Sequence, residues 1–222
     1  MNDLNPFEYL LSERGEVAAL LPENYQSVLE IGCSKGGFRK NLRPEAEIWG
    51  VEPNPSSAAE AAERGYRILV GTYDLVADEV PAGYFDVVVC NDVIEHMVDP
   101  DSFLREVRVK LKPGGLIVGS VPNVRYFGNL FRLLVLGDWE YVDQGILDRT
   151  HLRFFTKRSL QRTFTKAGYL VEHMSGINSD FQRQTTAFQL LKRVLLATAI
   201  LASLGALRDS RFMQFGFRIR AT

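Results

Sequence analysis

The sequence predicts an α/β protein built on a doubly wound, mostly parallel sheet. Over residues 27–123, short apolar runs rich in β-branched residues alternate with segments of helical pattern. Such alternation indicates right-handed βαβ units, in which helices cover both faces of a parallel sheet. Apolar residues make up 46% of the 222 residues and charged residues 24%, a balance that provides enough apolar side chains for a large core.

Five strands and three helices account for the first half of the chain. The predicted strands are SVLEIG (27–32), AEIWGVEP (46–53), YRILVG (66–71), YFDVVVCND (84–92) and LIVGSVPN (116–123). The first helix begins at Phe38 and must end before Pro44, since the residue preceding a proline disfavours the helical conformation. The second covers 56–65, with a serine cap and a final glycine, and the third covers 99–115 and closes on a Pro-Gly-Gly turn.

The regular alternation ends after residue 123. Residues 124–155 are rich in aromatic and basic side chains without a clear period, so they are predicted to form an insertion on the substrate side of the fold. The elements predicted after it are a helix at 156–168, a strand at 169–176, a long helix at 184–204 and a last strand at 211–221. No repeat or linker interrupts this order, and residues 1–222 are therefore predicted to form a single domain.

The two parts of the chain differ in charge, although the net charge is −1. From Arg125 to the end there are 15 Lys and Arg residues against 7 Asp and Glu, so the preceding part is acidic. A basic second half suits an anionic acceptor or a membrane surface. Two solvated faces whose charges cancel explain the same counts.

Cysteine content and targeting patterns predict a cytoplasmic protein. The two cysteines, Cys33 and Cys90, provide neither a disulfide framework nor a metal-ligand set, and no metal site is expected. The N-terminal residues place acidic side chains before the first apolar ones, unlike a secretory signal. The apolar run at 194–207 is shorter than the roughly 18 residues of a membrane span. Segment 190–208 is expected either to make a peripheral membrane contact or to pack against the sheet.

A loop of small residues, GCSKGG (32–37), follows the first predicted strand. In an open parallel sheet, ligands bind beyond the carboxyl ends of the strands where the strand order reverses, and glycine lets them approach the backbone. Glu52, at the end of the second strand, is placed to accept hydrogen bonds from the two hydroxyls of a ribose. The loop and Glu52 together predict a nucleoside site.

Two residues discriminate between a dinucleotide and a cationic nucleoside. Ser34 stands where the dinucleotide fingerprint has its second glycine, the residue that admits the pyrophosphate. Glu30 places a carboxylate near the loop, which would repel a pyrophosphate and attract an ammonium or sulfonium group. The sequence favours the cationic nucleoside, and a nicotinamide-dependent oxidoreductase is the alternative.

At these motifs the sequence resembles the class I S-adenosylmethionine-dependent methyltransferases. VLEIGCSKGG (28–37) is similar to their first motif, GVEPN (50–54) to the second and FDVVVCNDVIEHMVDP (85–100) to the fourth-strand motif. DRTHLRFFTKRSLQRTFTKAGYLVE (148–172) resembles a subgroup found in saccharide and lipid-linked glycan biosynthesis. The resemblance implies a Rossmann-like, seven-stranded, mostly parallel sheet with an antiparallel last strand. It also implies S-adenosylmethionine as cofactor and S-adenosylhomocysteine as product.

The cofactor contacts that this resemblance implies lie in four loops at the strand ends. They are Glu30, Gly32, Cys33, Ser34 and Gly36 in the first motif, Glu52 and Pro53 in the second, Thr72 and Tyr73 after the third strand, and Asn91 and Asp92 after the fourth. Side chains in place of Gly32 or Gly36 are expected to collide with the ligand, and Cys33 is expected to be a small filler. The loop after the third strand departs from the family's usual acid, so an ordinary loop threonine and a packed tyrosine are the alternatives there. Asp74 is a candidate replacement acid.

His151 is the predicted general base, and His96 occupies a family position near the active site. A methyl group on a sulfonium is already activated, so the enzyme must position a hydroxyl and remove its proton, work that suits a neutral histidine. Asp148 is expected to orient His151. The alternatives are that His96 makes a structural hydrogen bond and that Asp148, Arg149 and Arg153 form an ion-pair network that only fixes the loop.

The acceptor is expected to bind to the residues beyond 123. Tyr126 offers an aromatic face, while Arg149 and Arg153 suit an anionic group. These features fit a nucleotide-linked or lipid-linked sugar, so the predicted function is O-methylation of a saccharide or another small hydroxylated metabolite. A non-catalytic protein that binds S-adenosylmethionine is a further alternative. Nucleic acid is not an expected partner, because the basic excess is modest and no base-methylation motif follows the fourth strand.

Overall fold

Seven strands form one sheet in the structure, a computed structural model that describes residues 14–179, 194, 196–198 and 200–222. The strands are Ser27–Ile31 (β1), Glu47–Glu52 (β2), Arg67–Val70 (β3), Phe85–Asn91 (β4), Leu111–Pro122 (β5), Tyr169–Ser179 (β6) and Phe212–Ala221 (β7). Their order is β3-β2-β1-β4-β5-β7-β6. β7 runs antiparallel to both of its neighbours, and the other pairs are parallel. The predicted mostly parallel sheet with an antiparallel last strand is confirmed.

The central strands are buried on both faces of the sheet. In β1, Leu29 belongs to one core cluster and Val28 to the other. In β4, Val88 and Val87 divide between the two clusters in the same way. Successive side chains of a strand point to opposite faces, so a continuous apolar run fills two cores at once. This is why the strands could be predicted from runs such as DVVVC (86–90).

Helices and short turns connect the strands. The helices are Gly15–Ala18 (α1), Pro55–Glu63 (α2), Tyr73–Val76 (α3), Pro100–Lys110 (α4), Phe127–Phe131 (α5) and Lys157–Lys166 (α6), with 3₁₀ turns at Gly37–Asn41, Ala77–Glu79, Ile94–His96 and Arg208–Arg211 and a π turn at Arg132–Leu136. α6 begins where predicted, because Thr156 and Ser159 exchange capping hydrogen bonds. α2 begins one residue early, since Asn54 rather than a serine caps it and Pro55 takes the first helical position.

The helix predicted after the small-residue loop is a short 3₁₀ turn, Gly37–Asn41. Gly36 precedes it with φ +72°, and Leu42 follows it in an extended conformation. The guanidinium of Arg39 then bonds to the carbonyl of Pro44, which holds the chain in a compact turn ahead of β2. The helix predicted to begin at Phe38 and end before Pro44 is thus a five-residue 3₁₀ turn rather than an α-helix. The ligand-binding capacity of the loop must therefore come from its own backbone and its neighbours rather than from a helix dipole.

Residues 124–155 connect β5 to α6 and contain α5 and the π turn. Much of the predicted helix 184–204 lies outside the described residues, as does the first part of the predicted membrane-contact segment 190–208. Among the residues that the structure describes, no helix combines the length and apolar character needed to cross a bilayer.

Candidate functional site

The carboxyl ends of three neighbouring strands meet at one level of the sheet. Ile31 in β1 is paired with Val51 in β2 on one side and with Cys90 in β4 on the other. The residues that come next, Gly32, Glu52 and Asn91, therefore form a row across the sheet edge. The chain leaves β1 at this point with neighbours on both sides, which is where an open α/β sheet binds ligands.

The small-residue loop takes left-handed conformations at three positions, with φ +70° at Gly32, +48° at Ser34 and +72° at Gly36. A Cβ at Gly32 would lie 3.0 Å from the side chain of Val93. A Cβ at Gly36 would lie 3.0 Å from the ring of Tyr66 and 3.2 Å from the backbone of Ala61. The chain itself fills the space beside these two glycines. Backbone conformation and internal packing thus require them, in addition to the predicted collision with a ligand.

We expect Gly36→Ala to destabilise the fold by about 2–3 kcal/mol. A left-handed residue with a side chain costs roughly 1–2 kcal/mol, and displacement of Tyr66 adds to that cost. Gly83→Ala is the matched control, since Gly83 has φ +62° but no other group within 4 Å of the position that a Cβ would take. Urea unfolding of both variants measures the difference. Equal destabilisation would show that packing around Gly36 contributes nothing.

Glu52 links the small-residue loop to the start of α2 through the two oxygens of its carboxylate. Oε2 accepts a hydrogen bond from the amide of Ser34 at 2.8 Å, and Oε1 accepts one from the amide of Asn54 at 2.9 Å. The residue is 8% exposed. Each carboxylate oxygen can accept a second hydrogen bond, so Glu52 can still receive the two hydroxyls of a ribose. The two predicted neighbours, Pro53 and Thr72, are exposed beside this site.

Glu30 is buried below the loop, 3% exposed, and the hydroxyl of Tyr66 donates to its Oε2 at 2.5 Å. Burial raises the pKa of Glu30 to about 8. Without a nearby cation the carboxyl group is therefore neutral at pH 7, rather than a fixed negative charge. A cationic ligand would favour the ionised form, because opposite charges lower the pKa of an acid.

We expect Glu30→Gln to change how stability depends on pH. With the pKa of Glu30 raised from 4.5 to about 8, the native state retains a proton that the unfolded state has released. The stability present below pH 4.5 is lost as the pH rises to 8, at about 1.4 kcal/mol per unit. The variant should match the wild type near pH 4.5 and exceed it progressively up to pH 8. A difference in unfolding free energy that is constant over this range would contradict the raised pKa.

The hydroxyl of Tyr73, inside the core, is buried without a hydrogen-bond partner in the described part of the chain. At the strand ends the same is true of two residues, Asn91 through both Oδ1 and Nδ2 of its amide and Ser34 through its hydroxyl. Nearly all buried polar groups of proteins are hydrogen-bonded, so such groups indicate a place where a ligand or water completes the structure. Both residues belong to the predicted cofactor contacts.

Two other predicted contacts have structural roles in this conformation. Asp92 accepts hydrogen bonds from Arg14 at 2.8 Å, Ser120 at 2.7 Å and Gln214 at 2.7 Å, which joins three distant parts of the chain. The ring of Tyr73 packs edge-on against Phe103, 5.3 Å between centroids, so it belongs to the core. This packing favours the alternative of a packed tyrosine over stacking on a base.

Cys33 is also buried, and its burial raises the pKa of the thiol. A thiol that stays protonated is a poor nucleophile. Its place among apolar side chains agrees with the expected role of a small filler.

A second group of polar side chains lies where the chain leaves β4, and we call Glu95, His96 and His151 the Glu95 cluster. One ligand-type atom of each residue lies within 4.8 Å of those of the other two. The two imidazoles are in edge contact, with 4.8 Å between centroids. The amides of Leu152 and Arg153 both donate to the backbone carbonyl of Glu95, at 2.9 and 3.0 Å, which fixes the position of His151 beside the 3₁₀ turn.

Both histidines are oriented by backbone carbonyls. Nδ1 of His151 is 3.0 Å from the oxygen of Ile146, and Nδ1 of His96 is 3.2 Å from the oxygen of Thr150. Each Nδ1 must carry a proton to donate to a carbonyl, so Nε2 is the nitrogen that offers a lone pair whenever the ring is neutral. Burial and, second, the neighbouring His151 lower the pKa of His96. The ring of His96 is consequently neutral at physiological pH.

The carboxyl group of Glu95 is the group that sequence reasoning missed. The residue is 1% exposed, and neither of its oxygens has a hydrogen-bond partner among the described residues. Burial, with a smaller contribution from Asp92, raises its pKa well above the ordinary value. Its Oε1 lies 3.9 Å from Nε2 of His151. A charged residue inside the apolar run of 93–97 was the signal available in the sequence.

Asp148, predicted to orient His151, and Arg149, predicted to contact the acceptor, have other partners. Asp148 accepts hydrogen bonds from the amide and hydroxyl of Thr150, at 2.8 and 2.6 Å, so the orientation of His151 comes from Ile146 instead. Arg149 is exposed and pairs with Asp143 at 2.8 Å. These contacts favour the alternative in which charged residues fix the loop.

Arg153 and Tyr126 are the other two residues predicted to contact the acceptor. Arg153 is exposed and bonds to the backbone carbonyls of Leu152 and Val98. Tyr126 is half-buried and caps α5. Both remain candidates to contact an acceptor.

The chain is similar to known proteins in both sequence and fold. A family model described as methyltransferase domain matches residues 7–174. Two curated relatives, each named ubiquinone biosynthesis O-methyltransferase, come from Bradyrhizobium sp. (strain ORS 278) and Aeromonas salmonicida (strain A449). The first is 31% identical over 68% of this chain and 60% of its own length, and the second 30% identical over 75% of this chain and 71% of its own length. This chain thus spans less than two thirds of the first relative.

Solved structures share the fold at lower identity. A SAM-dependent methyltransferase from Archaeoglobus fulgidus has a TM-score of 0.64 at 17% identity and covers 96% of this chain and 92% of its own. An S-adenosylmethionine-dependent methyltransferase from Mesorhizobium loti has a TM-score of 0.59 at 19% identity, with 94% and 97% covered. The agreement extends over nearly the whole sheet.

Proposed function

This chain belongs to the methyltransferase domain family, and from that premise we propose that it transfers a methyl group from S-adenosylmethionine to a hydroxyl oxygen of a small acceptor. The observation that carries the proposal is the row of strand ends formed by Gly32, Glu52 and Asn91, with its unpartnered buried amide, next to the imidazoles of His96 and His151. Family membership removes the alternative of a nicotinamide-dependent oxidoreductase.

The residues at the strand ends fit the proposed cofactor. Glu52 can accept the ribose hydroxyls, and Asn91 and Ser34 offer unsatisfied polar atoms to an amino acid moiety. Glu30 would ionise beside a positive charge and so contribute attraction only when a cationic ligand is present. The bound cofactor would supply a methyl group on a positively charged sulfur, which needs no further activation.

The chain's own task is to position the acceptor and to assist loss of its hydroxyl proton. We assign the second task to the Glu95 cluster, because backbone carbonyls orient its two imidazoles beside the exit of β4 and the carboxyl oxygens of Glu95 have no hydrogen-bond partner among the described residues. An oxygen–carbon bond then forms as the carbon–sulfur bond breaks, and the bonding pair stays on the sulfur of S-adenosylhomocysteine. Alignment of the two reactants supplies roughly 7–11 kcal/mol of such a barrier, and proton transfer adds about 10²–10⁴-fold.

For the acceptor we propose a hydroxyl on an aromatic ring, ahead of the saccharide that the sequence suggested. The curated relatives carry a name that refers to O-methylation in ubiquinone biosynthesis. Phe154, on the same short segment as His151, forms an aromatic group with Trp139 and Tyr141, at centroid distances of 5.3 and 6.3 Å. Such a group can receive a flat ring by edge or face contact. A nucleotide-linked or lipid-linked sugar is the second candidate, since aromatic faces also bind sugars.

The experiment is a methyl-transfer assay with matched acceptors. Purified protein is incubated with radiolabelled S-adenosylmethionine and either dihydroxybenzoates or sugar nucleotides, and S-adenosylhomocysteine is quantified. Transfer to the phenolic series supports the proposal, and transfer to sugars alone favours the saccharide acceptor. Tight binding of S-adenosylhomocysteine by calorimetry with no transfer to any hydroxyl would favour the non-catalytic binding protein.

A further inference from the structure

The geometry points to a divalent transition-metal site formed by Glu95, His96 and His151, and we propose that the Glu95 cluster binds one such ion, Zn²⁺ or a chemically similar cation. The observations that support the site come from the Glu95 cluster alone. Its role in catalysis rests on the proposed function.

Potential metal ligands converge in the Glu95 cluster. Both imidazoles direct their Nδ1 protons to backbone carbonyls, at 3.0 and 3.2 Å, so in the neutral ring the remaining nitrogen is a lone-pair acceptor. The carboxyl oxygens of Glu95 have no hydrogen-bond partner in the described part of the chain, although the residue is 1% exposed. An ionised carboxylate beside two imidazole lone pairs is repelled by them unless a positive charge lies between the three groups.

The hydrogen bonds of the two histidines in the Glu95 cluster match those of histidines that bind metal ions. A histidine ligand normally donates its other ring N–H to a carbonyl or carboxylate, which fixes the tautomer, and both histidines already do so. Two imidazoles and one carboxylate form a donor set that suits zinc and its neighbours better than magnesium or calcium. Such a set leaves at least one coordination position open.

The distances within the Glu95 cluster are close to those between the ligand atoms of a metal site. The three ligand atoms lie within 4.8 Å of one another, and Nε2 of His151 is 3.9 Å from Oε1 of Glu95. Bonds of 2.0–2.1 Å in a tetrahedral site place ligand atoms about 3.3 Å apart. The side chains therefore need to close by about 1.5 Å at most. The backbone bonds from Leu152 and Arg153 to Glu95 already hold the two segments together.

The charges around the cluster also suit a cation. Asp92 and Asp148 act on Glu95 as negative charges, and Arg14 opposes them. The guanidinium of Arg14 is already paired with Asp92 at 2.8 Å. A bound cation would compensate the buried carboxylate and keep Glu95 ionised.

This site would explain how the Glu95 cluster assists loss of the acceptor's proton. An acceptor hydroxyl in the open position would release its proton to water more readily, because a metal ion lowers the pKa of a coordinated hydroxyl group. The resulting oxygen anion then attacks the methyl carbon as described above. The imidazoles act as ligands in this arrangement.

The test is metal binding by the full chain after treatment with a chelator. Co²⁺ is titrated and the visible absorption of tetrahedral cobalt is recorded, and Zn²⁺ is titrated by calorimetry. We expect one ion per chain. Glu95→Gln and His151→Ala should each weaken binding by more than the roughly 10–100-fold that loss of an outer-shell partner costs. His173→Ala is the control, since His173 is an exposed histidine bonded to Ser175.

Several results would overturn the inference. They are the absence of a one-to-one complex, wild-type affinity in both cluster variants, and equal weakening by His173→Ala. Methyl transfer is measured in parallel, with and without added Zn²⁺. Full transfer by metal-free protein that binds no Zn²⁺ would overturn the cation site and leave the proposed function intact. If the wild type binds an ion that the cluster variants lose, but transfers no methyl group to any acceptor, the cation site stands and the proposed function is wrong.

Discussion

His151→Ala is expected to lower the turnover number by about 10²–10⁴-fold while the affinity for S-adenosylhomocysteine stays near that of the wild type. The ring is 9% exposed, a hydrogen bond to Ile146 orients it, and its Nε2 faces Glu95 at 3.9 Å, so the variant removes one of the three polar groups of the Glu95 cluster. Steady-state kinetics with the best acceptor and calorimetry with the product measure the two quantities.

The matched control for this prediction is His173→Ala, which removes an imidazole from the exposed side of β6. It should leave turnover unchanged. If His151→Ala retains wild-type turnover, the Glu95 cluster has no part in methyl transfer. A loss of cofactor affinity that parallels the loss of turnover would instead indicate that the variant has disturbed the strand ends.

Glu52→Ala is expected to weaken binding of S-adenosylhomocysteine by roughly 1.5–3 kcal/mol, or about 10- to 150-fold. Two effects combine. The ribose loses its acceptor, and the amides of Ser34 and Asn54 lose the carboxylate that holds them at 2.8 and 2.9 Å. The melting temperature should therefore fall as well, since a buried amide without a partner is costly.

Glu60→Ala provides the control for Glu52→Ala. Glu60 pairs with Lys35 of the same loop at 2.7 Å, with its side chain 38% exposed, so the control variant loses a surface ion pair and keeps the strand ends intact. Exposed pairs contribute about 0–1 kcal/mol. An affinity for S-adenosylhomocysteine that changes less than twofold in Glu52→Ala would mean that the ribose is held elsewhere.

The sheet could be predicted from sequence because its signals are local. Each strand is a short β-branched run, and burial on both faces makes that run continuous. The cap of α6 at Thr156 was visible for the same reason, because it depends on residues within one turn. Glu52 followed from its place at the end of a strand.

The features that sequence reasoning missed depend on contacts between distant segments. The hydroxyl of Tyr66 reaches Glu30 across the first βα unit, and Gln214 and Arg14 meet on Asp92 from opposite ends of the chain. The local sequence pattern around each residue does not predict such pairs. The short turn after the loop was missed for another reason, since a helix and a 3₁₀ turn of five residues share the same composition.

The carbonyl of Glu95 receives two amides, those of Leu152 and Arg153, and this double attachment has a consequence for how the protein can diversify. It clamps the far end of the 124–155 segment to the exit of β4, so the residues ahead of Ile146, whose carbonyl orients His151, can change in length or character without moving the imidazole. The residues that recognise the acceptor can therefore change while the imidazole keeps its position.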